Sequence, residues 1–149
     1  MKISQGGRIS CCALVTLVAL YVVGAVSNGV LRHIAQTLPL WPPILLGLRQ
    51  RESAKWASLP CFAIWLLLMT LIWLFQLGWV KVISGHFTPV EIVLTLVIGL
   101  ATVVGLNTGL RWRTEMGWGR SLATAGLSAV FQLAALRLSF LPSIANDRN

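Results

Sequence analysis

The feature that most constrains this chain is a set of long stretches without a charged residue. One of them has a well-marked start, because Thr88, Pro89 and Glu91 occupy the N-cap, first and third positions typical of a capped helix N-terminus. Residues 92–110 then follow as 19 positions without a charge. At about 1.5 Å per residue, that length crosses a hydrocarbon core of roughly 30 Å. We therefore predict a spanning helix over 89–110.

Three other stretches have the same character, and composition supports the same conclusion. Of the 149 residues, 56% are hydrophobic and 11% are charged, whereas charged residues make up about 25% of a soluble domain. The sequence predicts a single all-α integral membrane domain over 1–149, with four transmembrane helices at about 9–31, 56–80, 89–110 and 121–141. The first helix follows Lys2 and Arg8, a pattern shared by retained anchors and cleaved signals. We expect retention, because its 23 uncharged residues are long for a signal.

The segment at about 33–48 is also uncharged but contains Pro39, Pro42 and Pro43. Each proline lacks an N–H donor and clashes with the preceding turn, so a continuous helix cannot pass through the segment. We predict a short interfacial or re-entrant piece. The alternative is a fifth crossing segment. With five crossings, eight Lys and Arg residues lie on one side of the membrane and four on the other, whereas four crossings give seven and five, so the charge distribution favours five.

A GLRxR pattern occurs twice, at 47–51 and 109–113, each time at the end of an apolar stretch. Positive charge near helix ends sets membrane orientation, so both topologies place these loops in the cytoplasm, and we expect a bacterial inner membrane. The loop cations are also candidates for contact with anionic lipid or an acidic partner: Arg49, Arg51, Lys55, Arg111, Arg113 and Arg120. Despite a net charge of +8, they form short runs and no continuous basic face, so we expect no nucleic-acid partner.

Small side chains recur every four residues on two of the predicted helices. Such spacing places them on one face, where another helix backbone can approach closely. We predict that the two faces are helix-packing surfaces and that they meet: Ala101, Gly105 and Gly109 with Ser121, Ala125 and Ala129.

Residues able to carry chemistry are few, since the chain has four acidic residues and two histidines. Glu91 is explained by its capping position. His33 and His86 lie on opposite membrane faces in the four-helix topology and share one face only with five crossings, so we predict no metal, cofactor or catalytic site. The remaining polar candidates are His33, His86, Asn28, Gln132 and Arg137.

These features favour a non-catalytic subunit, assembly factor or scaffold of a larger membrane complex. Its expected partners are membrane lipid and other integral membrane proteins or further copies of itself. The alternative is a protomer of a small oligomeric transporter or channel, in which Asn28, Gln132, Arg137 and the proline-containing segment are the candidate solute contacts. An enzyme acting on lipid is a third hypothesis, with only arginine, histidine and Glu91 to offer.

Overall fold

The computed structural model describes residues 4–80, 87–141 and 144, and their secondary structure is helical. Four helices are long and apolar enough to cross a membrane, which confirms the predicted all-α membrane fold with four long spans. In chain order the helices are α1 (Gln5–Val26), α2 (Val30–Thr37), α3 (Trp41–Leu48), α4 (Ser53–Gln76), α5 (Pro89–Arg111) and α6 (Trp118–Ser139), with a 3₁₀ turn at Leu38–Leu40 between α2 and α3.

Helix ends are set by caps rather than by the positions of charges. The Oγ of Ser4 accepts a hydrogen bond from the Gly7 N–H at 3.2 Å, so α1 begins before Arg8 and ends at Val26 instead of extending from 9 to 31. At the end of α4, Gly78 has a φ of +76°, which glycine adopts without steric cost. The helix therefore stops at Gln76, four residues earlier than predicted.

The predicted start of α5 is confirmed in detail. The Glu91 carboxylate accepts from the Thr88 N–H at 2.7 Å, while the Glu91 N–H donates to Thr88 Oγ1 at 3.3 Å. Two backbone donors at the helix start are thereby satisfied reciprocally, which defines a capping box. The Glu91 carboxylate therefore has a structural role as part of the helix cap.

Helix α5 packs against both α1 and α4, and α4 packs on α6 as well. On the α5 side, a Cβ built at Gly105 would lie 2.5 Å from Phe62 Cε2, and one at Gly109 would lie 2.9 Å from Leu59 Cδ2. The predicted small-residue face of α5 therefore receives side chains of α4 at Gly105 and Gly109. It does not use α6 as its packing partner in the way that the sequence suggested.

On the other side of α4, α6 packs through a face that includes Ser121, which is buried, and Ala125 and Ala129, which are half-buried. Ser128 lies on the same face and donates to the Ala57 carbonyl at 2.6 Å. The two small-residue faces are thus both used against α4. The physical reason is that a small-residue surface accepts large side chains as readily as small ones, so spacing alone does not select the partner.

The proline segment, which comprises α2, the 3₁₀ turn and α3, runs back along the whole of α1. Near the C-terminus of α1, a Cβ built at Gly24 would lie 3.0 Å from His33 Cβ. At the other end of α1, Ser10 Oγ donates to the Ile44 carbonyl at 2.8 Å, and a Cβ built at Gly47 would lie 2.6 Å from the Gly6 oxygen. The predicted break is present as the 3₁₀ turn, and the segment, predicted to be a short interfacial or re-entrant piece, extends along the full length of α1.

This course places the N-terminus of α1 at the same end of the bundle as the α3–α4 and α5–α6 connections. Lys55 confirms the alignment of the two connections, because its Nζ donates to the Trp112 carbonyl at 2.7 Å. Seven of the basic residues that the structure describes gather there, at what we term the cationic end: Arg8, Arg49, Arg51, Lys55, Arg111, Arg113 and Arg120. Both GLRxR segments belong to this end.

Candidate functional site

The centre of the bundle contains a polar region built around the break in the proline segment. In an α-helix the Pro39 carbonyl would accept from residue 43, and in a 3₁₀ helix from residue 42. Both positions are prolines without an N–H, so this buried carbonyl has no donor within its own segment. The thiol of Cys61 on α4 supplies one, at 3.5 Å from the Pro39 oxygen, and also lies 3.4 Å from Ser128 Oγ on α6.

A second carbonyl next to the break receives its donor from α6. The fully buried Gln132 donates from Nε2 to the Gln36 carbonyl at 3.4 Å. Gln36 in turn donates from its own Nε2 to Ser139 Oγ at 3.0 Å. Irregular backbone at membrane depth requires such partners, because no water surrounds it there. We use the term proline break for the residues that form these hydrogen bonds at the interruption of the segment: Gln36, Pro39, Cys61, Ser128, Gln132 and Ser139.

Two buried side-chain atoms near the proline break have no hydrogen-bond partner. They are the indole Nε1 of Trp65 on α4 and the Oε1 of Gln132 on α6. Trp73, on the same helix, differs in that its Nε1 donates to Thr95 Oγ1 at 3.1 Å. Among the polar candidates named from sequence, Gln132 is thus the one at the centre of the bundle.

The other polar candidates lie away from this centre. Asn28 is exposed in the turn between α1 and α2 with a φ of 54°, and Arg137 is exposed in the last turn of α6. His33 is half-buried, and because its Nδ1 lies 2.8 Å from the Gly29 carbonyl, that nitrogen carries the hydrogen. His86 lies outside the described residues. Of the candidates that the structure describes, Asn28, His33 and Arg137 therefore do not join Gln132 in this region.

Sequence reasoning missed Cys61, Ser128, Gln36 and Trp65 as members of this region. The available signal was the spacing of the prolines, which deprives particular carbonyls of donors and requires polar side chains elsewhere. It does not say which helix provides them. Within 4–80 and 87–141, no group of three or more His, Cys, Asp or Glu side chains is arranged to hold a metal ion.

The cationic end forms a second, more exposed region. Lys55 Nζ lies 4.6 Å from the centre of the Trp56 ring, and Trp56 Nε1 donates to Thr114 Oγ1 at 3.3 Å. With the bond from Lys55 to Trp112, these contacts tie the two connections together. The other cations predicted for lipid or partner contact are exposed: Arg49, Arg51, Arg111, Arg113 and Arg120.

The third region is the outer face of α6, defined by Gly119, Ala123, Gly126 and Ala134, which are all exposed. A Cβ built at Gly119 or Gly126 would meet no atom within 4 Å. The exposed surface of α6 also carries the large side chains of Leu127 and Val130, and the exposed face of α5 carries those of Val93, Leu96 and Leu100.

Fold and site together define a polytopic helical membrane protein with a proline-broken segment packed along its long helices. No family model, curated protein or solved structure matches this chain.

Proposed function

We propose that this protein is a non-catalytic subunit, assembly factor or scaffold of a larger membrane complex, and that the outer face of α6 receives a transmembrane helix of its partner. The exposed small side chains on the outer face of α6 support the proposal. Lipid tails pack equally well on large side chains, whereas small side chains let a second helix backbone approach closely. The open space at Gly119 and Gly126 is suited to that approach.

Enlarging the outer face of α6 should release the partner. We expect Ala123→Leu to reduce recovery of a stoichiometric membrane protein in mild detergent at least tenfold, which corresponds to about 1.4 kcal/mol of lost association free energy. The reason is that the added side chain fills the space that the partner backbone would occupy. Affinity purification followed by quantitative mass spectrometry measures the recovery.

Ala63→Leu is the matched control, because Ala63 is exposed on α4 and the substitution is the same. This variant should retain the partner. Recovery of the unaltered protein as a lone, homogeneous homo-oligomer would contradict the subunit proposal. Retention of the partner by Ala123→Leu would instead exclude this face as the contact.

We further propose that the cationic end faces the cytoplasm of a bacterial cell, at the inner membrane. The opposite end of the bundle carries Arg32 and Arg137, against seven described cations at the cationic end. An excess of Lys and Arg in short loops is the usual mark of the cytoplasmic side. Each such cation near an anionic leaflet contributes about 1 kcal/mol.

Removing four guanidinium groups should weaken contact with anionic lipid. We expect the combined substitution of Arg49, Arg51, Arg111 and Arg113 by Gln to lower the anionic phospholipid that co-purifies with the protein severalfold, with zwitterionic lipid unchanged. Arginine pairs bind phosphate oxygens through forked, charge-assisted hydrogen bonds, and glutamine carries neither the positive charge nor the forked donors. Lipid mass spectrometry of the purified protein gives the ratio.

The control variant for this experiment is Arg137→Gln, which removes a guanidinium from the opposite end of the bundle and should leave the ratio unchanged. An unaltered ratio in the fourfold variant would contradict the lipid contact. If the protein partner were lost at the same time, the arginines would belong to an acidic protein interface.

A transporter or channel protomer is the alternative function, and the proline break is the observation that favours it. Broken helices with buried amides at mid-depth are typical of solute sites in transporters. Solute flux across vesicles reconstituted with this protein alone would favour the alternative over the subunit.

A further inference from the structure

The helix register brings Gln36, Trp65 and Gln132 to one level of the bundle. The contacts of Cys61 with Pro39 and Ser128 define a level that joins the proline segment, α4 and α6. Trp65 lies one helical turn beyond Cys61, and Gln132 lies one turn beyond Ser128, on parallel helices.

The proline segment runs antiparallel to α4 and α6. Gln36, which precedes Pro39 in the chain, therefore lies on the same side of the Pro39 level as Trp65 and Gln132. The bond from Gln132 Nε2 to the Gln36 carbonyl at 3.4 Å agrees with this register. Trp65 is therefore adjacent in level to the buried amide of Gln132.

The two unpaired atoms at this level are chemically complementary. An indole N–H is a donor only, and an amide oxygen is an acceptor with two lone pairs. Trp65 is 3% exposed and Gln132 is 0% exposed, so neither reaches bulk solvent or lipid headgroups. A third group is available, because Pro39 lacks the N–H that would bond the Ala35 carbonyl in a regular helix. By register, one donor and two acceptors thus belong to this level of the bundle.

We propose that Trp65 and Gln132 bind one water molecule at the proline break. The water accepts from Trp65 Nε1–H and donates one hydrogen to Gln132 Oε1 and the other to the Ala35 carbonyl. Internal waters typically make about three hydrogen bonds of this kind. Leu40, next to Pro39 in the chain, is apolar and fully buried, so the occupant is neutral and small. This site is independent of the outer face of α6 and of any partner.

A structure of the full chain in lipid nanodiscs, at a resolution that shows ordered water, tests the proposal directly. We expect density between the two side chains, about 2.7–3.2 Å from Trp65 Nε1 and from Gln132 Oε1. A direct bond between these two atoms, or an empty gap, would overturn the proposal. Density for a lipid or detergent chain would do the same.

A double-mutant cycle supplies an energetic test. Trp65→Phe removes the donor, and Gln132→Met removes the acceptor at similar side-chain length. If both side chains bind one water, the factor by which Gln132→Met changes the unfolding equilibrium constant should be about five times smaller in the Trp65→Phe background than in the unaltered protein. That ratio is the size expected for one net hydrogen bond. Loss of the Gln132 bond to Gln36 occurs in both backgrounds and cancels. Titration with a denaturing detergent measures the equilibrium.

Trp73→Phe is the control background, because the Trp73 indole donates to Thr95. The effect of Gln132→Met should be unchanged there. Equal effects of Gln132→Met in all three backgrounds would overturn the shared water site.

Discussion

Phe62→Ala is expected to lower the free energy of unfolding by about 3–5 kcal/mol, the range for large-to-small changes at buried aromatic positions. Phe62 is 0% exposed, and its ring lies against Gly105 of α5, where no side chain is present to fill the vacated space. The cavity would therefore persist between α4 and α5. Unfolding in a mixed-detergent titration, followed by tryptophan fluorescence, measures the change.

Phe131→Ala is the matched control, since Phe131 is 42% exposed on α6. Lipid or detergent replaces its contacts after truncation, so we expect a loss below about 1 kcal/mol. Equal losses for the two variants would contradict the central position of Phe62 in the packing.

The second large effect is expected for Gly47→Ala, with a loss of about 1–3 kcal/mol, as for an overpacked interior. The added Cβ would lie 2.6 Å from the Gly6 carbonyl oxygen and would also meet Ser10 Oγ. A backbone oxygen cannot rotate away as a side chain does, so α1 and α3 must separate. That movement would also weaken the bond from Ser10 to the Ile44 carbonyl. Thermal unfolding in detergent is a suitable measurement.

Gly126→Ala, the same substitution in open space on α6, should have the opposite sign. Alanine is favoured over glycine inside a helix by about 1 kcal/mol. We therefore expect no loss and up to about that much stabilisation. If Gly47→Ala behaved like Gly126→Ala, the proline segment would not pack along the N-terminal end of α1 as described.

The four long helices were predictable because the length and apolar character of a spanning segment are fixed by the bilayer. The start of α5 was predictable for a local reason, since the capping box needs only residues three positions apart. The end of α4 was harder. Its limit depends on the left-handed conformation of Gly78, whereas sequence reasoning extended the helix to the next charge.

The course of the proline segment and the partner of the α5 small-residue face were not predictable in the same way. The three prolines at 39, 42 and 43 predict a break, but whether the broken segment packs along the other helices depends on donors from distant parts of the chain. Cys61 and Gln132 provide those donors from 22 and 96 residues away in sequence. Likewise, Gly105 accepts the ring of Phe62 because of tertiary geometry that four-residue spacing does not encode.

The dependence of the proline break on later helices has a consequence for biogenesis. Residues 30–48 leave the ribosome before α4, and well before Gln132 and Ser139 of α6. Until those helices enter the membrane, the carbonyls of Gln36 and Pro39 lack their native donors in hydrocarbon, an unfavourable state. The segment therefore acquires the donor to its Gln36 carbonyl only after α6 has entered the membrane, so its stability depends on a helix that is made after α2 to α5.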